Sequence, residues 1–313
     1  MDNITHTLFG AALGQAGLRK YAGLGTATLM IAANIPDLDA LVIPFTDQLP
    51  FRRGWTHGPI GLVVLPVLLT AAVVGFDRWQ ARRGKRPAER LPVTWIGVLA
   101  LAFIGTLSHP FLDWLNSYGV RLLMPFSHEW YYGDAIFIID PWIWLVLGTS
   151  LFLGRRRRKR GELADTRPAL CALAAVVVYV GLMIGGSRAA SDTAQREIEA
   201  RGLGPVERIM AGPVPVNPLR REIIYDRGDA YGFGMLTLVP WFTLEIDPET
   251  RAKLDNHPAV QRAVETPEMQ GFLYWSRFPY FDVQEVSGGT LVRAGDARYG
   301  WASSRDVLVR TSE

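Results

Sequence analysis

The chain has 313 residues, 49% of them hydrophobic, with 33 Lys and Arg against 30 Asp and Glu. That length has room for two domains, and the single cysteine, Cys171, excludes an intrachain disulfide. The formal charge of +3 gives no reason to expect a nucleic-acid partner, because most of the excess sits in two basic runs beside apolar segments.

The apolar content is uneven. Residues 1–186 hold the long hydrophobic runs, and residues 187–313 have the composition of a soluble domain. A membrane-spanning helix needs about 20 mostly apolar residues. The first stretch, 4–18, is short and is expected to span or to dip into the bilayer. Asp2 precedes it without a basic segment, which argues against a cleavable signal peptide. The stretches 21–43, 59–76, 93–109, 136–153 and 169–185 are longer, so five or six spans are predicted.

Two basic runs orient them. One holds Arg78, Arg82, Arg83, Lys85, Arg86 and Arg90; the other is Arg155 to Arg160. Basic loops stay on the cytoplasmic side. The loops 44–58 and 110–135 and the C-terminal domain then face the other side. Trp55, Trp114, Trp130, Tyr131 and Tyr132 fall at that outer interface, where aromatic rings anchor.

His6, Asp37, Asp39, His57, His109 and Asp113 all land at the same outer level. The topology used only hydropathy and Arg/Lys, so this agreement is independent of it. Ionisable groups at membrane depth are costly, and by default they mark a functional site. His with Asp in this number also suits a divalent metal, zinc above all.

Each motif supplies part of that set. Asp2 and His6 are four apart at the start of the first stretch. In Asn34-Ile35-Pro36-Asp37-Leu38-Asp39, Pro36 disfavours helix at Ile35, and two carboxylates follow in an unwound turn where both can point at a cation. In Arg52-Arg53-Gly54-Trp55-Thr56-His57-Gly58, a His stands near an arginine pair, and either Arg can clamp a phosphate with two donors. In Ser108-His109-Pro110-Phe111-Leu112-Asp113, the His and Asp lie on one helical face, one turn apart. Asn116 follows directly and can hydrogen-bond a ligand or a metal-bound carboxylate.

The C-terminal half reads differently. Residues 187–203 are expected to be a polar linker helix. The segments 206–211, 221–226 and 231–246 alternate as strands do. Residues 248–266 read as one helix opened by Pro248-Glu249-Thr250. The segments 271–276, 281–286, 290–293 and 306–310 read as further strands, with a hairpin turn at Ser287-Gly288-Gly289-Thr290. The predicted fold is therefore an all-α polytopic membrane domain over 1–186, the linker helix, and a small strand-rich α+β domain over 204–313.

As an ordered set, MDNITH, NIPDLD, RRGWTHG, SHPFLDWLNSYG and LLMPFS followed by YYGDAIFIIDP resemble the membrane-bound metal-dependent hydrolase family, the YdjM-like inner-membrane hydrolases. The likeness covers roughly residues 1–145. The order of His and Asp is also similar, more distantly, to the zinc-dependent phospholipase C and single-strand nuclease superfamily. The resemblance implies that Asp39 or Asp37, with His57, His109 and Asp113, binds one ion, and that His6 binds a second with Asp113 between them. Ala40 and Arg52 stand where some members have His, so one or two ions fit better than three.

We assign His6, Asp39, His57, His109 and Asp113 to the metal, and Asp37, Arg53 and Asn116 to catalysis. The expected activity is hydrolysis of a phosphoester in a lipid-like substrate, with Zn2+ as cofactor and membrane lipids as partners. The resemblance implies a multi-pass protein of the bacterial inner membrane, with the site and the C-terminal domain on the extracytoplasmic side. The alternative is a transporter or channel with an intramembrane ion site, which predicts charged residues at the middle of several spans. A third reading, a structural anchor for the outer domain, leaves six aligned ligand-type residues without a reason. Oligomeric state is not legible.

Overall fold

A computed structural model describes residues 1–45, 51–160 and 165–310. The chain divides into two units. The first comprises Met1–Leu41 and Arg53–Ile184; the second comprises Val42–Arg52 and Gly185–Glu313.

The first unit is helical. In chain order it holds α1 (Asn3–Gln15), a 3-10 turn (Leu18–Tyr21), α2 (Gly25–Ala32), a 3-10 segment (Ile35–Phe45), α3 (Pro59–Arg82), α4 (Trp95–Trp114) and α5 (Pro141–Lys159). The last helix, α6 (Arg167–Ala200), begins in this unit and ends in the second. It is one helix of 34 residues, so the expected break into a span and a separate linker helix near residue 187 is absent.

The expectation of five or six spans is not met. Among the described residues, three helices are long and apolar enough to cross a membrane: Pro59–Arg82, Trp95–Trp114 and Arg167–Ala200. The physical reasons are local. α1 has 13 residues, about 20 Å at 1.5 Å per residue, against a hydrocarbon core of about 30 Å. The stretch 21–43 is interrupted: Leu24 adopts φ +64°, α2 lasts eight residues, and Pro36 ends helix before Ile35. In α5 the apolar run stops at Gly154, where Arg155–Arg158 begin.

The three long helices carry their apolar residues outward. Ile60, Val63, Val67 and Leu68 of α3, Ile96, Leu107 and Phe111 of α4, and Val177, Val178 and Leu182 of α6 are exposed. A soluble monomer rarely shows apolar surface on this scale, and lipid accounts for it.

The short helices are packed inside by small residues. A Cβ on Gly10 would lie 2.7 Å from the Leu29 carbonyl oxygen, and one on Gly105 would lie 2.9 Å from the same atom and 2.6 Å from Ala32 Cβ. α2 is thus pressed between α1 and α4 at backbone contact, the close approach that small residues permit between helices in lipid. Leu29, Ala32, Val98, Leu101 and Ala102 form the core there. A second core joins α1, α4, α5 and α6 through Ala12, Leu112, Leu115, Ile143, Leu147, Val176 and Val180.

The second unit has two antiparallel sheets. The four-stranded sheet runs β1 (Arg208–Pro213), β2 (Arg220–Asp226), β3 (Ala230–Thr237) and β4 (Thr243–Ala252) in order. The three-stranded sheet runs β5 (Pro279–Val286), β6 (Gly289–Asp296) and β7 (Gly300–Val309). Between them in sequence lie α7 (Pro258–Ala263) and α8 (Pro267–Trp275).

Three sequence assignments differ here. The strand expected over 231–246 is two strands, because the Val239-Pro240 dipeptide cannot continue a ladder. The expected helix over 248–266 is strand to Ala252 and helix only from Pro258. The strand expected at 271–276 is the end of α8, whose Met269, Phe272 and Trp275 are buried at helical spacing. The hairpin turn forms at Ser287-Gly288, with Gly288 at φ +95°.

Candidate metal centre

Asp113 is the hub of the site. It lies near the end of α4, and its side chain is fully buried. His109, one turn earlier, faces it at 3.5 Å. Pro110 lies between them inside a continuous helix, so no new helical turn is needed to place the pair. His57 Nε2 approaches Asp113 Oδ2 at 3.3 Å, and His6 Nε2 approaches Asp113 Oδ1 at 3.3 Å. The Arg53 Nε lies 3.0 Å from Oδ2, and the Met1 ammonium pairs with Oδ1.

The elements explain the convergence. Asp2 caps α1 by accepting hydrogen bonds from the Ile4 and Thr5 amides at 2.9 and 3.0 Å, which fixes the start of the helix that carries His6. The Asp2 carboxylate is therefore used in the cap. His57 sits in the turn before α3, where its amide donates to the Gly54 carbonyl at 2.9 Å. The neighbouring Gly58 passes so close to the Met124 backbone that a side chain there would collide with it.

The imidazoles are held in a defined sense. His109 Nδ1 lies 2.6 Å from the Ala33 carbonyl oxygen. A carbonyl only accepts, so Nδ1 carries the proton and Nε2 presents a lone pair. That Nε2 lies 3.1 Å from His57 Nε2. His57 Nδ1 lies 3.0 Å from Thr56 Oγ1 and 3.8 Å from Asp39 Oδ2. Burial pushes the His57 imidazole toward its neutral form, and pushes that of His6 further. Neutral imidazole is the metal-binding form.

One ligand atom from each of Asp37, His57, His109 and Asp113 lies within 4.8 Å of the others, and this group can hold a metal ion. Ligands at about 2.0–2.2 Å from a tetrahedral zinc are separated by roughly 3.3–3.5 Å, so the observed Nε2–Nε2 spacing suits two ligands of one ion. The donor set of two imidazole nitrogens and two carboxylates also suits zinc or a similar transition metal better than magnesium or calcium.

The structure divides Asp37 and Asp39 differently from the sequence assignment. Asp37, assigned to catalysis, stands in the four-residue group, with Oδ1 3.7 Å from His109 Nε2. Asp39, taken as a ligand, accepts a hydrogen bond from the Arg53 amide at 2.6 Å and stands behind His57. The reason is the 3-10 backbone of Ile35–Phe45. At three residues per turn, positions two apart point in different directions, so the two carboxylates meet different partners, Asp37 the His109 ring and Asp39 the Arg53 amide.

His6 is inside the cluster but outside that four-residue group. Its ring stacks on His109 with centroids 3.9 Å apart, and its Nδ1 is buried with no hydrogen-bond partner among the described residues. Arg53, expected to clamp a phosphate, is committed to the chain itself. Besides Asp113, its Nη1 donates to Asn116 Oδ1 at 3.1 Å and to the Gly119 carbonyl at 3.2 Å, and its guanidinium lies over Tyr118. Asn116 Oδ1 also accepts from the Tyr118 amide at 2.8 Å, while Asn116 Nδ2 is buried with no partner among the described residues. Asp140 caps α5 and accepts from Tyr179 at 2.8 Å.

Sequence reasoning missed Thr56 as a partner of the His57 ring and Ala33 as the partner that sets the His109 tautomer. A backbone carbonyl leaves no signal in the sequence.

The model of the YdjM inner membrane protein family matches residues 1–187, more than half of the chain. The chain belongs to that family. The match ends within α6 and includes every residue of the cluster. The chain is also 28% identical over 155 residues to the uncharacterized protein YfhP of Bacillus subtilis strain 168. That alignment covers 46% of this chain and 43% of the relative, so the likeness spans less than half of either. No solved structure matches the chain. Family membership and the three apolar helices together make this a membrane protein.

Proposed function

We propose that this protein is a membrane-embedded, metal-dependent hydrolase that cleaves a phosphoester of a lipid-like substrate. The observation that carries the reading is the approach of His57 Nε2 to His109 Nε2 at 3.1 Å beside Asp113 and Asp37. The motif resemblance to YdjM-like hydrolases supports the reaction class. Ligand-type residues gather in one cluster, whereas the apolar runs 59–76, 95–108 and 169–186 contain no Asp, Glu, Lys, Arg or His. That distribution favours a localised site over an ion path along the spans.

His57, His109, Asp113 and Asp37 would hold the ion, with His6 placed for a second. A bound zinc ion supplies Lewis acidity to a phosphoryl oxygen and makes water a better nucleophile near neutral pH. Of the four carboxylate and imidazole groups, Asp37 alone is not fully enclosed, so it is the residue placed to take a proton from entering water. Arg53 fixes Asp113 and Asn116 together. Asn116 Nδ2 then offers a buried donor to a phosphoryl oxygen. Asp39 orients His57 and the Arg53 backbone. The exposed apolar faces of α3, α4 and α6 support a site that meets lipid, so a phospholipid or polyprenyl phosphate is the favoured substrate class. The basic run over residues 78–90 between α3 and α4 favours the cytoplasmic side, which supports an extracytoplasmic position for the cluster at the other ends of these two helices.

The test is phosphate release by the purified full chain in nanodiscs, from phosphatidic acid and from a polyprenyl phosphate, with zinc or manganese supplied. The reading predicts turnover that a chelator abolishes and that His57→Ala and His109→Ala lack. Metal binding without turnover on any phosphoester would remove the hydrolase reading and leave a metal-binding membrane protein.

A further inference from the structure

The end of α1 away from the metal cluster borders a cavity. Gln15 lies nine residues after His6 on α1, about 13 Å along the axis. Around it, α1, the Leu18–Tyr21 turn, α2 and α5 enclose a space of 340 Å³ lined by Gln15, Arg19, Thr26, Arg155 and Arg158 among others. Pockets that take small ligands start at about 300 Å³.

Three features of this cavity are unusual for a surface that only snorkels basic side chains. First, no ion pair joins Arg19, Arg155 or Arg158 to an acid among the described residues, although the adjacent Arg157 is paired with Asp165. Second, the three guanidiniums crowd one another: the Arg158 pKa is lowered, first by burial and then by the charges of Arg19 and Arg155. Third, the floor is polar and enclosed. Gln15 is 6% exposed, and its Oε1 is buried with no partner among the described residues. Gly154 of α5 makes the room for it, since a Cβ there would collide with the Gln15 carboxamide. A primary amide buried with unmet hydrogen-bonding capacity is costly unless something completes it. Turned by half a rotation about its last bond, the carboxamide presents its NH2, the donor that a phosphate oxygen accepts from.

The structure assigns this cavity as a binding site for the headgroup phosphate of an anionic phospholipid, with Arg19, Arg155 and Arg158 as the cationic rim and Gln15 as the buried polar contact. Mutually repelling guanidiniums are stabilised by a phosphate between them, and Arg matches phosphate geometry with two donors at once. Basic pockets between membrane helices are suited to such headgroups. A lipid source is favoured over a free anion because Leu151 completes the lining and Phe152 and Leu153 beside it are exposed and apolar, ready to meet acyl chains. A neighbouring cavity of 230 Å³ shares Arg19 and adds Arg90, extending the basic rim. The assignment does not depend on the hydrolase reading, because no residue of the metal cluster is involved.

The test uses the full chain in a neutral detergent, titrated with phosphatidylglycerol, with cardiolipin, with phosphatidylcholine, and separately with inorganic phosphate, reading the thermal unfolding midpoint. The expected result is saturable stabilisation by the anionic lipids and none by phosphatidylcholine. Apparent affinity should fall at least tenfold in Arg155→Gln/Arg158→Gln and in Arg19→Gln, with the melting point in plain detergent unchanged. The control Arg82→Gln/Arg83→Gln, in the other basic run, should change it less than twofold. Equal losses in that control, an equal response to phosphatidylcholine, or full stabilisation by inorganic phosphate with nothing added by lipid would each overturn the assignment.

Discussion

His57 and His109 face each other through their Nε2 atoms at 3.1 Å, while His109 Nδ1 is tied to the Ala33 carbonyl. Two ring nitrogens brought this close, one of them with its lone pair forward, need a shared proton or a shared cation. The carboxylates of Asp113 and Asp37 beside them favour the cation.

In the proposed site, Asp39 would support His57 and the Arg53 backbone and would not touch the ion. Asp39→Asn keeps an acceptor for the Arg53 amide but weakens the hold on the imidazole. Zinc affinity is expected to fall about 10- to 100-fold, the usual effect of losing such a supporting group, with the helical content intact. Competition with a fluorescent zinc chelator measures it. Affinity equal to wild type would show that Asp39 does not support the site.

Arg53 holds Asp113 and Asn116 in one arrangement. Arg53→Lys preserves charge but cannot reproduce two parallel contacts from one planar group. We expect stability to drop by about 2–4 kcal/mol, since a buried carboxylate loses part of its satisfaction, read as detergent-solubilised thermal unfolding. A melting point matching wild type would mean that Lys meets Asp113 equally well.

The helix packing gives a sharper contrast. Gly10→Ala puts a methyl against the Leu29 carbonyl at 2.7 Å and should cost about 1–3 kcal/mol through forced separation of α1 and α2. Gly75→Ala on α3 meets nothing within 4 Å and should change stability by less than about 1 kcal/mol. Equal effects of the two substitutions would contradict the close approach described.

In the second unit, Asp296 is fully enclosed. Burial alone would raise its pKa, but the Arg298 ion pair and the hydrogen bonds from Ser276 and the Arg298 amide outweigh it and hold it at about 2. A depressed carboxylate stabilises the fold above its unfolded value of 3.8, and that contribution fades as pH falls from about 4 toward 2. The size is about 2 kcal/mol at neutral pH. Hydrogen exchange of β5–β7 in the full chain should show protection lost in Asp296→Asn at pH 7, with the gap closing as pH falls toward 2. A gap that does not depend on pH would refute the ionic origin.

Much of the site was legible because its residues are the wrong type for their surroundings. His6, His109 and Asp113 stand out against apolar neighbours, and the His109/Asp113 spacing reads directly as one helical face. The different partners of Asp37 and Asp39 were not legible, since they depend on a 3-10 helix rather than an unwound turn after Pro36. The span count was overestimated because hydropathy counts apolar residues without seeing what covers them. Much of the apolar character of α1 and α2 meets other helices through Gly10 and Gly105 rather than lipid. In the second unit, alternation alone did not separate the buried helical face of α8 from a strand, which short apolar runs rarely permit.

The most direct test is elemental analysis of the purified full chain after loading with zinc and removal of excess. The account predicts one to two ions per chain in wild type and in His128→Ala, whose side chain is exposed, and at most residual metal in His57→Ala and His109→Ala. Wild type that retains no divalent ion, or histidine variants that retain as much as wild type, would contradict it.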